Sequence, residues 1–272
     1  MCILRYLLFC CVICISCSHA SLHQKQLMHA LDFSAANSKE LEKVLKHYEH
    51  DSLKLEAAKF LIRNMPHCYS YQQGGEMDSV KRVRTYYSPF GQIDQTYARR
   101  WGHYTYRNLL KIYDAHIITA EYLIDNIDRA FDNWQKRPWN RSLSFEDFCE
   151  YLLPYRIGDE PLEEWRELYE KKYGYLLDSI YKGSDVVEAA NLVSRHLQEP
   201  VFIYCEDFEL PHIGPRYLFS HRYGSCVDAA DIVTYAFRAV GIPCMEDTDA
   251  RGGHVWNVVR DTTESDVPIW YI

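Results

Sequence analysis

Beyond residue 20, no two cysteines in this chain stand at CxxC spacing, and its twelve histidines form no HExxH or similar cluster. A structural or catalytic metal site is therefore not expected. Cysteines arranged for pairing are equally scarce. Cys2, Cys10, Cys11, Cys14 and Cys17 crowd into the leader, while Cys68, Cys149, Cys205, Cys226 and Cys244 are scattered singly. That pattern excludes a disulfide-stapled scaffold, and an odd number outside the cytoplasm leaves at least one thiol free. No basic stripe interrupts a chain of formal net charge −8, which argues against nucleic acid as a partner. There is no low-complexity linker and no repeat, and the apolar run from Tyr6 to Ser16 is too short to span a bilayer comfortably. What the chain does have is room for a core. Its 272 residues, 47% of them hydrophobic, suffice for one large or two modest domains.

The short basic start Met1-Cys2-Ile3-Leu4-Arg5 followed by that apolar run reads as a secretory signal over residues 1–20, not as a membrane helix. Two processing routes fit. Ile15-Ser16-Cys17 resembles the end of a lipobox, with Cys17 as the lipidated first residue, and Ser18-His19-Ala20 satisfies the small-x-small rule for cleavage before Ser21. Of the two, the lipoprotein route is preferred. The expected location is outside the cytoplasm, as an outer-membrane or periplasmic lipoprotein or as a secreted protein, with any membrane attachment confined to that anchor.

Residues 21–200 read as a mainly helical region. Asn37 to Asn64 has the pattern of a helical pair opened by an Asn37/Glu40 capping box. His67 to Arg100 is irregular and carries no recognisable chemistry. Tyr106 to Trp134 shows a long helical stripe, Ser144 with Asp147 opens a helix that Pro154 ends, and Glu163–Ile180 and Ser184–Leu197 supply two more. Val201–Cys205 and Arg216–Phe219 read as short extended runs. The aromatic and charged stretch from Phe148 to Leu162 is expected to clasp two helices, with substrate contact by Tyr155, Arg156 and Glu160 as the alternative. The twenty-two tyrosines are scattered along the chain, which favours interior or rim positions over a sugar-binding platform.

The chemistry-bearing stretch is Tyr223-Gly224-Ser225-Cys226-Val227-Asp228-Ala229-Ala230, followed by Gly252-Gly253-His254-Val255-Trp256-Asn257. A Gly-Ser turn delivers a cysteine to the start of a helix, where unpaired N–H groups and roughly half a unit of positive charge favour a thiolate. Cys226, Ala229, Ala230, Val233, Ala236, Phe237 and Val240 form one apolar stripe, with Asp228, Asp231 and Arg238 largely off it, and Gly241 and Pro243 end the helix. Ile242–Glu246 and His254–Val259 then read as strands joined by a polar turn. His254, Trp256 and Val258 share one strand face. If that face looks at the helix, the imidazole meets the thiol.

Gly-Ser-Cys opening a helix, Ala239-Val240-Gly241-Ile242-Pro243 closing it and His-x-Trp-Asn-x-Val on the next strand resemble the transglutaminase-like superfamily of papain-fold cysteine enzymes, over about Phe219 to Ile272. The stretch from Phe148 to Leu162 is similar to a segment upstream of that core in exported members from Bacteroidetes. The resemblance implies an α+β fold in which residues 201–272 form the start of a papain-like core, with the cysteine helix packed on an antiparallel sheet. It implies Cys226 as the nucleophile that forms a thioester with an amide substrate and His254 as its base and later acid. The Cys226 N–H would serve as an oxyanion donor, and Trp256, Asn257 and Tyr223 would position or line the site. The third member, an orienting Asp, is expected beyond Trp270 and just past Ile272; Asp261 is the nearest substitute within the chain. Asp228 is expected to cap the helix, not to catalyse. The implied activity is hydrolysis or exchange of amide bonds in peptide, protein or cell-wall substrates, without a cofactor, and the competing reading is a surface binding protein that keeps the fold without turnover.

Overall fold

The computed structural model describes residues 22–75, 77–79, 81, 106–199, 202–204, 210–251, 253–261 and 269–271. Cys17, with the rest of residues 1–21, lies outside the described residues. The described chain is α+β, mainly helical with small sheets, and its apolar side chains collect into two buried clusters.

The first cluster joins α1 (22–33), α2 (Ser38–His47), α3 (Ser52–Asn64), α4 (Ala120–Lys136) and α5 (Phe145–Tyr151). Leu41 and Val44, then Leu61 and Ile62, then Leu123, Ile127 and Phe131 bring their helical stripes together around Phe148. The expected helical pair is there, but its capping box is not. Asn37 Nδ2 donates to the carbonyls of Ala115 and Ile118 at 3.0 and 2.9 Å, and Glu40 accepts from the Ala120 N–H at 2.9 Å. Both side chains satisfy the polar backbone that leads into α4 instead of their own helix. The helix expected from Tyr106 begins only at Ala120, where Thr119 accepts from the Tyr122 N–H. Before it, β2 (Lys111–Tyr113) pairs antiparallel with β1 (Tyr69–Tyr71) and delivers Asp114 into the interior. There Asp114 receives Tyr155 Oη at 3.0 Å and Arg156 Nε at 2.6 Å, a pairing that a continuous helix would displace.

The second cluster joins α6 (Arg166–Tyr175) with the π-turn Leu176–Ile180 that continues it, α7 (Val186–Leu197), α8 (Pro215–Ser220), α9 (Cys226–Val240) and the antiparallel sheet β5 (Cys244–Thr248), β6 (Val255–Asp261), β7 (Ile269–Tyr271). Two further short strands, β3 (Ile203–Tyr204) and β4 (Tyr223–Gly224), run parallel. Residues 216–219, expected to be extended, are helical. Gly214, at φ 111°, makes the turn and Pro215 stands at the first helical position, where its missing N–H costs nothing. The boundary expected at residue 200 runs through this cluster, because Trp165, Tyr169 and Tyr173 pack with Tyr235, Phe237 and Val240 of α9. That helix is apolar enough to need cover on more than one side. Gly241 ends it at φ 84°, and Arg137 Nε, Trp139 Nε1 and Asn140 Nδ2 donate to the carbonyls of Val240 and Gly241 at 2.8, 2.9 and 2.9 Å. Among the described residues, no helix is long and apolar enough to cross a membrane.

Candidate active site

Cys226 is the first residue of α9 and is half-buried. The turn that holds it is tightly specified. Asp228 Oδ2 accepts from the Ser225 N–H at 2.8 Å and from Ser225 Oγ at 3.1 Å. A Cβ on Gly224 would fall 2.3 Å from that same oxygen, so only glycine admits the cap. Gly224 and the half-buried Tyr223 are pinned in turn by β3. Asp228 is thus a capping residue, as expected, and its charge complements the positive end of the helix.

Burial pushes Cys149 and Cys244 up to about 12 and Cys68 up to about 11. Cys205 lies outside the described residues.

His254 immediately precedes β6 and is exposed. Its carbonyl accepts from the Asp249 N–H at 3.2 Å and from Thr248 Oγ1 at 3.0 Å, which closes the hairpin loop, and its ring lies 5.9 Å from that of Trp256. The strand face toward the helix is the one that carries Asn257 and Val259. Asn257 Nδ2 donates to the Ala230 carbonyl at 3.0 Å and to Thr234 Oγ1 at 2.8 Å, and Val259 joins the helix's core. These are the partners of alternate parity to His254, Trp256 and Val258. His254 stands outside the ladder, so the pleat does not aim its ring, and no hydrogen bond among the described residues joins it to Cys226. Both residues nevertheless lie toward the same end of the helix–sheet unit, because Asn257 meets α9 one turn after Cys226. Trp256 also borders a groove of about 630 Å³ with Ala229 and Val233, members of the cysteine's own stripe.

Asp261 is buried at the far end of β6, opposite Ile269. Seven positions of extended chain separate it from His254, roughly 23 Å at about 3.3 Å each. It cannot orient that imidazole directly.

Tyr155, Arg156 and Glu160 are buried, which does not suit them to the alternative role of substrate contacts. Arg156 is buried on Asp114 and on the Glu160 carbonyl, while the Glu160 carboxylate accepts the N–H groups of Ile157 and Gly158, both at 2.7 Å. The expected clasp is what they build, and the Arg156 carbonyl ties it to Arg238 of α9 at 3.1 Å.

A second set of groups was not anticipated. His212 Nδ1 lies 2.9 Å from both carboxylate oxygens of Asp231, which is fully buried in α9. Glu246 of β5 is within hydrogen-bonding reach of Asp231 and accepts Thr234 Oγ1 at 3.0 Å, and Thr234 is the residue that Asn257 holds. Burial disfavours the imidazolium, but the Asp231 carboxylate outweighs it and pushes His212 up to about 10. Burial likewise raises Asp231 and Glu246, each beside another carboxylate. His212 opens onto a polar cavity of about 580 Å³ lined also by His67, Tyr69, Tyr106, Asp159, Ser225 and Asp228. The sequence signal for it is thin: a histidine between Pro211 and Pro215, and an acid off the apolar stripe of a helix. Among the described residues, no group of three or more His, Cys, Asp or Glu is disposed to hold a metal ion. No family model matches the chain, and neither a curated protein nor a solved structure matches it.

Proposed function

We propose that the chain is an exported thiol enzyme of the transglutaminase-like, papain-fold type that transfers or hydrolyses amide bonds through a thioester on Cys226, with His254 as base and acid. The observation that carries the reading is Cys226 fixed at the first turn of α9 by the Gly224-Ser225-Asp228 cap, while the thiols of Cys149 and Cys244 are buried. A thiol at that position feels the free N–H groups of the helix start, and its own N–H is available to a developing oxyanion. Three further features support it. The helix lies on an antiparallel sheet whose second strand begins directly after His254. Asn257 fixes that strand against the helix. β7 returns antiparallel along β6 toward its His254 end, the direction from which an orienting acid would come.

In the reaction, Cys226 sulfur adds to the amide carbonyl, the His254 imidazolium gives its proton to the departing amine, and water or a second amine then takes the acyl group with the imidazole as base. Peptide, protein or cell-wall amides are the substrates. Hydrolysis is favoured because no feature of the described site keeps water from the thioester. The alternative, a surface binding protein that does no chemistry, draws its support from the exposed His254, which makes no hydrogen bond to Cys226 among the described residues.

Alkylation separates the two readings. Iodoacetamide near neutral pH should modify Cys226 about 100-fold faster than Cys149 or Cys244, and His254→Ala should slow that step about tenfold, with peptide mass spectrometry as the readout. Equal rates at all three thiols would favour the binding protein.

A further inference from the structure

We propose that the groove between α7, α9 and β6 binds a fatty acid of medium chain length, its tail along the apolar walls and its carboxylate on Arg222. The groove, about 630 Å³, falls in the range of small-molecule sites, roughly 300 to 1,000 Å³. Its walls include Ala190 and Leu197 of α7, Ile232, Val233 and Phe237 of α9 and Trp256 of β6. Arg222 is the single charged residue among the described residues that line it.

That arginine is only 5% exposed and has no carboxylate partner among the described residues. Its terminal nitrogens donate to the Leu197 carbonyl at 3.0 Å and to Tyr173 Oη at 2.7 Å, and Nε has no acceptor. The C-terminal end of α7 supplies partial negative charge through Leu197, but a guanidinium has five N–H groups to satisfy. Three other buried arginines are better provided for, whereas Arg238 shares the orphaned Nε but does not line the groove. Arg156 has Asp114, Arg137 has Asp178, and Arg166 spends its donors on Asn126 and four carbonyls. Nearby Lys172 adds to the positive field, its ammonium disfavoured by burial and then by the charge of Arg222.

Among the described residues, a buried cation with unused donors at the edge of a largely apolar groove is complementary to an apolar monocarboxylate, which would supply both a balancing charge and acceptors. Trp256, whose Nε1 is also buried without an acceptor among the described residues, borders the same groove. The inference is independent of the thiol chemistry, since Cys226 does not enter it.

The test is a calorimetric titration of the full chain with sodium dodecanoate and, in parallel, with 1-dodecanol. Dodecanoate should bind with at least about a tenfold advantage over the alcohol, the margin expected of a charge-assisted pair. Arg222→Met should abolish that advantage, and Ala190→Trp should abolish binding of both while leaving Cys226 alkylation unchanged. Cys226→Ala should bind dodecanoate like the native chain, so failure of the enzymatic reading would leave this result standing. Equal affinity for acid and alcohol, no binding of either, or binding of an apolar peptide carboxylate such as N-acetyl-Leu-Phe without dodecanoate would overturn the proposal. The acid and alcohol pair on the native chain decides even if the Arg222 variant does not fold.

Discussion

Helix α9 presents two unlike sides to the rest of the molecule. Along one, Ala229, Val233 and Phe237 continue the stripe that begins at Cys226 and border an apolar groove. On the other, Asp231 is fully buried against His212 and Glu246, beside a polar cavity. The first side is held by burial, which is non-directional and tolerates substitutions that conserve volume. The second is held by charge and hydrogen bonds, where losing one member leaves the others desolvated and unpaired. The helix that delivers the candidate nucleophile is therefore soft to change on one side and brittle on the other.

The largest effect should come from the brittle side. Asp231→Leu leaves His212 without its carboxylate and should cost about 3 kcal/mol or more in a urea titration. Val233→Leu, on the other side, should cost about 1 kcal/mol or less. Comparable losses for the two would erase the distinction.

The next test is pH. His212, Asp231 and Glu246 are all raised in the folded chain, His212 to about 10, so the folded state binds more protons than the unfolded one. For His212 the stabilisation is complete below its unfolded value of about 6.5 and is lost as pH rises through about 10. Stability should therefore decline across that window, and His212→Gln should flatten the slope. A native curve with no decline there would remove the ion pair from the account.

A smaller effect belongs to the cap. Gly224→Ala forces a Cβ to within 2.3 Å of Asp228 Oδ2 and should cost about 1 to 2 kcal/mol through loss of the Ser225 bonds. It should also slow alkylation of Cys226, which Val233→Leu should not.

The soft side was legible in the sequence and the brittle side was not, for a physical reason. The stripe from Cys226 to Val240 repeats at helical period, Gly241 marks the only turn that a left-handed C-cap allows, and the polar turn before His254 marks the hairpin, so each is a local signal. Asp231 looks like a solvated helix position until His212 is brought to it by a loop nineteen residues earlier in the chain, and no local pattern encodes that meeting. The same limit explains Asn37 and Glu40, whose capping-box spacing is real but whose side chains bond residues 115–120 instead. It also explains why strand parity alone left the helix-facing set of β6 open, since the choice between the two faces is made by Asn257 reaching Thr234.

The most direct test of the central claim is to look for the acyl-enzyme itself. The native chain would be incubated with p-nitrophenyl acetate, quenched in acid and mapped by peptide mass spectrometry. The account predicts acetyl on Cys226 that forms with a burst of nitrophenolate and then turns over, with adduct and burst both absent in Cys226→Ala and slowed in His254→Ala. Acetylation confined to lysines and the other thiols, with Cys226 unmodified, would contradict it.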